Sequence, residues 1–163
     1  MKAAEVDLMI REFVPGDEFA FRRLNEEWIS RYFTVEGKDE ETLANPRKIL
    51  ENGGRIFFAV RQGEAVGCCA LLAMGPGEFE VAKMAVTESA RGAGVGRSLL
   101  GRVIAEARAC GASRLYLETN SKLTPAIRLY ESAGFRHLPP ARIVPSRYAR
   151  ANVYMELHVD DRG

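Results

Sequence analysis

The sequence predicts a single α/β (α+β) domain, a mixed and mostly antiparallel sheet flanked by helices. Three observations carry that reading. Between Ile56 and Val86, three strand-like runs are separated by turn signals at Arg61-Gln62-Gly63-Glu64 and Gly75-Pro76-Gly77, the pattern of an antiparallel meander. The third run ends at a glycine-rich turn that opens a periodic helix, and another strand-like run, Leu115 to Asn120, follows it. A strand–helix–strand unit of that length implies a crossover and a parallel pair. Finally, 163 residues with 47% hydrophobic and 28% charged side chains fit one ordinary globular domain.

The elements follow in order. Leu8 to Phe13 reads as a first strand, stopped by Val14-Pro15-Gly16. Asp17 is placed to cap a helix whose apolar stripe includes Phe21, Leu24, Trp28 and Ile29. Tyr32 to Gly37 is expected to be a loop carrying two aromatics. A second helix should include Ile49 and Leu50, with Pro46 near its first turn and Gly53-Gly54 at its end. After the meander, Val95, Leu99, Leu100, Val103, Ile104 and Ala107 form one helical stripe, and Gly111 suits the position just past its end. Thr124 is expected to cap a further helix, with Pro125 at its first position, that runs through Ile127, Leu129 and Tyr130 and stops at Gly134. Phe135 to Leu138 and Val153 to Val159 supply the last strands.

Composition excludes little but narrows the class. A net charge of +1 gives no global steering toward nucleic acid or membrane. The longest apolar run, Ala65 to Met74, is too short to span a bilayer, and the first residues carry no signal-peptide pattern. The expectation is a cytoplasmic chain. Cys68, Cys69 and Cys110 read as small core hydrophobes, with no disulfide and no metal site.

The chemistry is expected at Arg91-Gly92-Ala93-Gly94-Val95-Gly96 and the adjoining Arg97. Three glycines are costly inside a helix but suit a turn whose backbone N–H groups approach a ligand closely. The N-terminus of a helix offers orphan donors and partial positive charge, and two arginines flank it, so a pyrophosphate-sized anion is the reading. A glycine-rich connection with nothing bound is the alternative. The nucleotide P-loop fails: counting back from Ser98 puts Arg97 and Arg91 where Lys and the first Gly belong. The dinucleotide fingerprint fails at its third glycine, where the chain has Arg97 or Leu99. Glu118, about 22 residues after the turn, is the one feature that flatters it.

What fits is Arg91-x-x-Gly94-x-Gly96. Together with Glu80-Val81-Ala82-Lys83-Met84-Ala85-Val86, then Asn120, then Ala126-Ile127-Arg128-Leu129-Tyr130-Glu131 and Gly134-Phe135, it resembles the GNAT superfamily of acetyl-CoA-dependent N-acetyltransferases. The resemblance implies an N-acetyltransferase domain over residues 8–160 and a splayed sheet. Acetyl-CoA would lie in the cleft between the strand ending at Val86 and the strand ending at Asn120. It also implies residue roles. Backbone groups of Met84, Ala85 and Val86 would bond the pantetheine arm as an added strand does. The amides from Gly92 through Ala93, Gly94, Val95 and Gly96 to Arg97, with Arg91 alongside, would hold the pyrophosphate. Asn120 would contact the cofactor, or would simply be a strand-end turn residue. Tyr130 would protonate the departing CoA thiolate, or would be a core aromatic.

The implied reaction is acyl transfer from a thioester to an amine, and only a neutral amine attacks. A lysine-like amine of pKa about 10.4 pays roughly 4–5 kcal/mol for this at pH 7, an α-amine only about 1 kcal/mol. Glu80 matches a strand position where several members carry a basic Glu, and it is expected to share a face with Ala82 and Met84. Its other reading is a solvated carboxylate. Glu118 is a second candidate base. For the acceptor, Tyr32, Phe33 and Glu36 lie where the family shapes its pocket, and Arg142, Arg147, Tyr148 and Arg150 could reach the same cleft. Arginines near an aromatic suggest a small carboxylate-bearing amine, such as an amino acid, unless they are solvated. His137 and His158 are assigned no chemistry. The expected partner is a small-molecule amine, with no nucleic acid and no membrane. A homodimer is compatible with the resemblance. A protein N-terminal or lysine acetyltransferase and a non-catalytic acetyl-CoA sensor are the competing readings.

Overall fold

The computed structural model describes residues 8–159, so the Asp160 end of the expected domain lies outside the described residues. Seven strands form one sheet in the order β1-β2-β3-β4-β5-β7-β6. β1 (Leu8–Glu12), β2 (Arg55–Arg61), β3 (Glu64–Gly75) and β4 (Glu78–Val86) are the antiparallel meander. The turn between β2 and β3 is Gln62-Gly63, both at positive φ, the hairpin geometry that matches strand twist. β5 (Arg114–Thr119), β6 (Arg136–His137) and β7 (Val153–His158) complete the sheet, with β7 between the other two. β4 and β5 are parallel, joined by helix α4 (Val95–Ala109), but they pair only at Glu78–Arg114, Phe79–Leu115 and Glu80–Tyr116. Beyond Glu80 the two strands part, and the rest of β4 presents an open edge.

Helices cover both faces, and each face has its own core. On one side, α1 (Glu18–Tyr32), α2 (Gly37–Ala44) and α3 (Arg47–Glu51) pack Phe21, Leu24, Leu43 and Ile49 on Phe58, Cys68, Ala70 and Ala85. On the other, α4 and α5 (Thr124–Ser132) pack Leu99, Leu100, Val103 and Tyr130 on Leu71, Val81, Leu115, Leu117 and Met155. The expected stripes of α1 and α4 are the buried residues, apart from a half-buried Trp28.

Several local expectations need correction. Asp17 does not cap α1. Its carboxylate is taken by Arg11, at 2.7 Å and 3.1 Å, and by the Val14 N–H at 2.8 Å. Thr124 is the first helical residue of α5 and caps nothing; Leu123 precedes it. Tyr32 ends α1, and the expected loop gives way at Gly37 to α2, which buries only Asp39 and Leu43. An element with one buried apolar residue leaves no periodic signature. Cys68 and Cys69 are core residues, but Cys110 is exposed. Glu80 and Ala82 do share a face, but Met84 does not continue it. Ala82 pairs with Ala70 and Ala85 with Cys68, so Lys83 and Met84 together oppose Cys69 in a bulge. Lys83 takes φ 55° there.

Candidate active site

The parting of β4 from β5 opens a cavity of about 550 Å³ that reaches both faces of the sheet. One end is the glycine turn. Gly92 and Gly94 sit at φ 81° and 79°, backbone that side chains with a Cβ rarely adopt. The first helical bond of α4 runs from Ser98 N–H to the Gly94 carbonyl at 3.0 Å, so the amides of Val95, Gly96 and Arg97 precede it without an intrahelical partner. Gly92, Gly94, Val95, Gly96, Arg97 and Arg91 all line the cavity. Ala93 does not, and its N–H is directed to the Ala90 carbonyl at 3.4 Å. Arg91 stacks on Tyr32, 5.3 Å from the ring centroid, and donates to its hydroxyl. Arg97 reaches Ser132 at 3.5 Å.

Of the β4 residues expected to hold a pantetheine arm, Met84 and Val86 line the cavity, whereas Ala85 is buried in the α1 face and paired with Cys68. Asn120 lines the cavity just past β5. Its Oδ1 accepts the Lys122 N–H at 2.8 Å and its Nδ2 donates to the Arg150 carbonyl at 2.6 Å, so both ends of the carboxamide brace the loop.

Tyr130 and Glu80 meet the cavity from opposite faces. Tyr130 belongs to the α4 core and stacks edge-on to Phe135. Its hydroxyl has no hydrogen-bond partner among the described residues, and no fully shielded side-chain polar atom there is left without one. The hydroxyl therefore opens on the cavity. Burial raises the phenol above its usual range, with Cys69 adding to the shift. Glu80 lies across from Leu72, on the α1 face. It too has no partner among the described residues, and burial pushes its carboxyl up to about 7, helped by Glu118 and opposed by Lys83. Glu118 lines the cavity as well, but it is partnered: the Tyr116 hydroxyl donates to it at 2.9 Å and Ser146 donates to its other oxygen.

The acceptor side is closed by ions. Asp39 of α2 is fully buried and receives Arg150 at 2.7 Å and 2.8 Å and Lys83 at 2.7 Å. Burial alone would raise its carboxyl, but hydrogen bonds from Arg150, Lys83 and the Glu36 N–H hold it well below the usual carboxylate range. Tyr148 lies against both cations, with its ring 4.8 Å from Lys83 and 4.6 Å from Arg150. Glu36 bonds the Ala149 N–H at 3.1 Å. Tyr32, Phe33, Tyr148 and Arg150 thus line the cavity as expected, and Glu36 helps tie its wall. Arg142 and Arg147 are not on it: Arg142 grips Glu156 through both terminal nitrogens, a carboxylate that Arg114 shares at 2.7 Å. The carboxylate grip expected from these arginines loses its basis, because Arg142 lies elsewhere and Arg150 is already bound to Asp39.

Three residues of this site were missed in the sequence. Lys83 had a visible signal, a charge within an apolar strand. Asn25 had one too, an amide interrupting an apolar stripe. Asp39 had none.

The comparisons agree with the geometry. The family profile described as the acetyltransferase (GNAT) family matches residues 21–135, and the chain belongs to that family. It is 32% identical over 133 residues to an uncharacterised N-acetyltransferase of Schizosaccharomyces pombe, covering 78% of this chain and 81% of that one. It is 41% identical over 103 residues to the IAA acetyltransferase of Azospirillum brasilense, spanning 63% of each. A GNAT-family acetyltransferase of Staphylococcus aureus superposes with a TM-score of 0.84 at 20% identity, over 93% of this chain and 99% of that one. The protein yncA of Salmonella typhimurium, solved with acetyl-CoA as its cofactor, gives a TM-score of 0.76 at 22% identity, over 96% of both chains. The protein is therefore an acetyl-CoA-dependent N-acetyltransferase. Among the described residues no helix is long and apolar enough to cross a membrane.

Proposed function

We propose that the acceptor is a primary amine of a small molecule, with Glu80 as general base and Tyr130 as the proton donor to the leaving sulfur, in a domain spanning 8–160. Acetyl-CoA, when bound, supplies a thioester whose acyl carbon a neutral amine can attack. The orphan amides of Val95, Gly96 and Arg97, with Gly92 and Gly94, suit its pyrophosphate. The open edge of β4 at Met84 and Val86 suits the amides of its pantetheine arm. One observation carries the assignment of roles: Glu80 and Tyr130 are both unpartnered and face one cavity from its two sides. A carboxyl with pKa about 7 is half ionised at neutral pH and matched to taking a proton from an amine. A phenol raised by burial keeps its proton at that pH, so it stands ready to donate to a developing thiolate.

A wall braced beside the cavity favours a small acceptor over a protein tail. α2 and the 146–151 segment are tied together there by Asp39, Glu36 and Arg150. The test is thiol release from acetyl-CoA against a panel of amines, amino acids and peptides. Turnover of small primary amines with peptides inert supports the proposal, and acetylation of peptides alone refutes it.

A further inference from the structure

Two carboxylates line the cavity from one face of the sheet. Val81, Leu115 and Leu117 turn into the α4 core, so their strand neighbours Glu80, Tyr116 and Glu118 point to the opposite face. Tyr116 is the residue of β5 registered against Glu80, and its hydroxyl donates to Glu118 at 2.9 Å. The two acids therefore flank one ring. Glu118 stands two residues past the last strand pair, which puts it roughly 8 Å from Glu80 at the backbone.

Their counterions decide what such a pair can bind. Lys83 lies 2.7 Å from Asp39, and Arg150 lies 2.7 Å from Asp39 and 3.5 Å from Glu36, so these two cations already have two carboxylates. Lys83 only partly opposes the burial of Glu80. Arg114, stacked on the Tyr116 ring, is held by Glu156 and Glu78. Arg147 is exposed and off the cavity. Among the described residues Glu118 has hydroxyl donors alone, Tyr116 on one oxygen and Ser146 on the other, and no cation. A carboxylate has about four acceptor sites, so two stay free. The cavity is a ligand site on separate grounds: Tyr130, 9% exposed, opens an unpartnered hydroxyl on it, and the family's reaction brings an amine there.

We propose that Glu118 binds a second positive charge on the acceptor, so that the enzyme takes aliphatic diamines in preference to neutral amines and amino acids. The proposal rests on the small-molecule amine reading above and narrows it. At neutral pH such a diamine carries two ammonium groups. One gives its proton to Glu80 and becomes the nucleophile, and the other stays charged on Glu118. An amino acid would set its carboxylate against Glu118 instead.

The test uses three acceptors of one length, 1,5-diaminopentane, n-hexylamine and 5-aminopentanoate, read by thiol release. In wild type, kcat/KM for the diamine should exceed that for n-hexylamine by about tenfold or more, the order of one hydrogen bond to a charged group, with 5-aminopentanoate lowest. Glu118→Gln keeps the shape and removes the charge, and should bring the ratio of diamine to n-hexylamine down to about one. Because the readout is a ratio, any change in Glu80 cancels. A wild type indifferent to the tail, or one favouring the carboxylate, overturns the proposal. So does a Glu118→Gln enzyme that slows equally on all three, since Glu118 is then only a brace for the 146–151 segment. If Glu118→Gln does not fold, salt decides: going from about 20 to 500 mM should shrink the wild-type preference several-fold, and an unchanged preference overturns the proposal. If none of the three is acetylated, the small-amine reading has failed, and the subsite is decided by titrating 1,5-diaminopentane into the CoA-loaded protein. Binding about tenfold weaker in Glu118→Gln than in wild type supports it, and equal or absent binding overturns it.

Discussion

Replacing Glu80 by Gln should damage the enzyme and stabilise the protein, and the two effects have one cause. The carboxyl rises from 4.5 to about 7 chiefly through burial. At about 1.36 kcal/mol per pH unit, that gap makes ionising Glu80 cost the folded state about 3 kcal/mol more than the unfolded chain. Below pH 4.5 both states hold the proton and nothing is lost. Between 4.5 and about 7 the unfolded chain has released its proton while the folded one has not, so stability falls as pH rises. Above about 7 the deficit is complete and constant. Gln has no proton to lose. Glu80→Gln should therefore melt with wild type at pH 4 and above it at pH 8, by roughly 6–12 °C for a domain of this size. Its kcat/KM should fall about 10²–10⁴-fold, and the wild-type rise in rate through pH about 7 should vanish. Melting curves at the two pH values and a pH–rate profile decide it. An equal gain in Tm at both pH values, or none at pH 8, would refute the placement of an unpaired buried carboxyl.

Asp39→Ala should strand Lys83 and Arg150, buried or nearly so, and cost about 3–5 kcal/mol, read as a Tm lower by roughly 6–20 °C. Tyr130→Phe should keep CoA affinity by calorimetry while turnover drops about 10²-fold or more. Gly94→Ala, at φ 79°, should cost about 1 kcal/mol of stability and weaken CoA binding in the same titration. Arg142→Ala should leave acceptor KM unchanged, because its guanidinium serves Glu156, whose carboxyl it and Arg114 hold down at about 2. A raised KM would bring Arg142 back into the acceptor site.

The half of the site made by consecutive residues was legible, and the half made by tertiary contact was not. The glycine turn could be read because backbone conformation is a local property, and Gly92 and Gly94 adopt the left-handed geometry their sequence invites. The helix stripes were legible because burial repeats with the helical period. Alternation along β4 was legible only to Ala82, since one extra residue at Lys83 moves everything beyond it to the other face. The fate of the late arginines was not legible at all. Arg142 and Arg150 look alike in sequence, yet one is drawn to Glu156 of β7 and the other to Asp39 of α2, which lies more than a hundred residues away in the chain. Asp17 fails as a cap for the same reason: Arg11 and the Val14 amide reach it first.

The two cores explain why the chemistry sits where it does. A sheet with helices on both faces buries everything between them unless two neighbouring strands stop pairing. β4 and β5 stop after Glu80, and that single break lets a group held on the α4 side meet a group held on the α1 side. The amides of α4 and the Tyr130 phenol lie on the first side, Glu80 and Asn25 on the second. The break would also admit water and bulky acceptors, and Asp39 answers that. Its one carboxylate gathers a cation from the bulge and one from the 146–151 segment, and Glu36 lies 3.5 Å from the second of these, so Lys83 is held on Asp39 and only partly opposes the burial that raises the affinity of Glu80 for a proton. The closing network and the reactive carboxyl are in this sense one electrostatic arrangement. Loosening the first by Asp39→Ala would free Lys83 toward Glu80 and pull its carboxyl down, shifting the pH–rate profile to lower pH even in the fraction that stays folded.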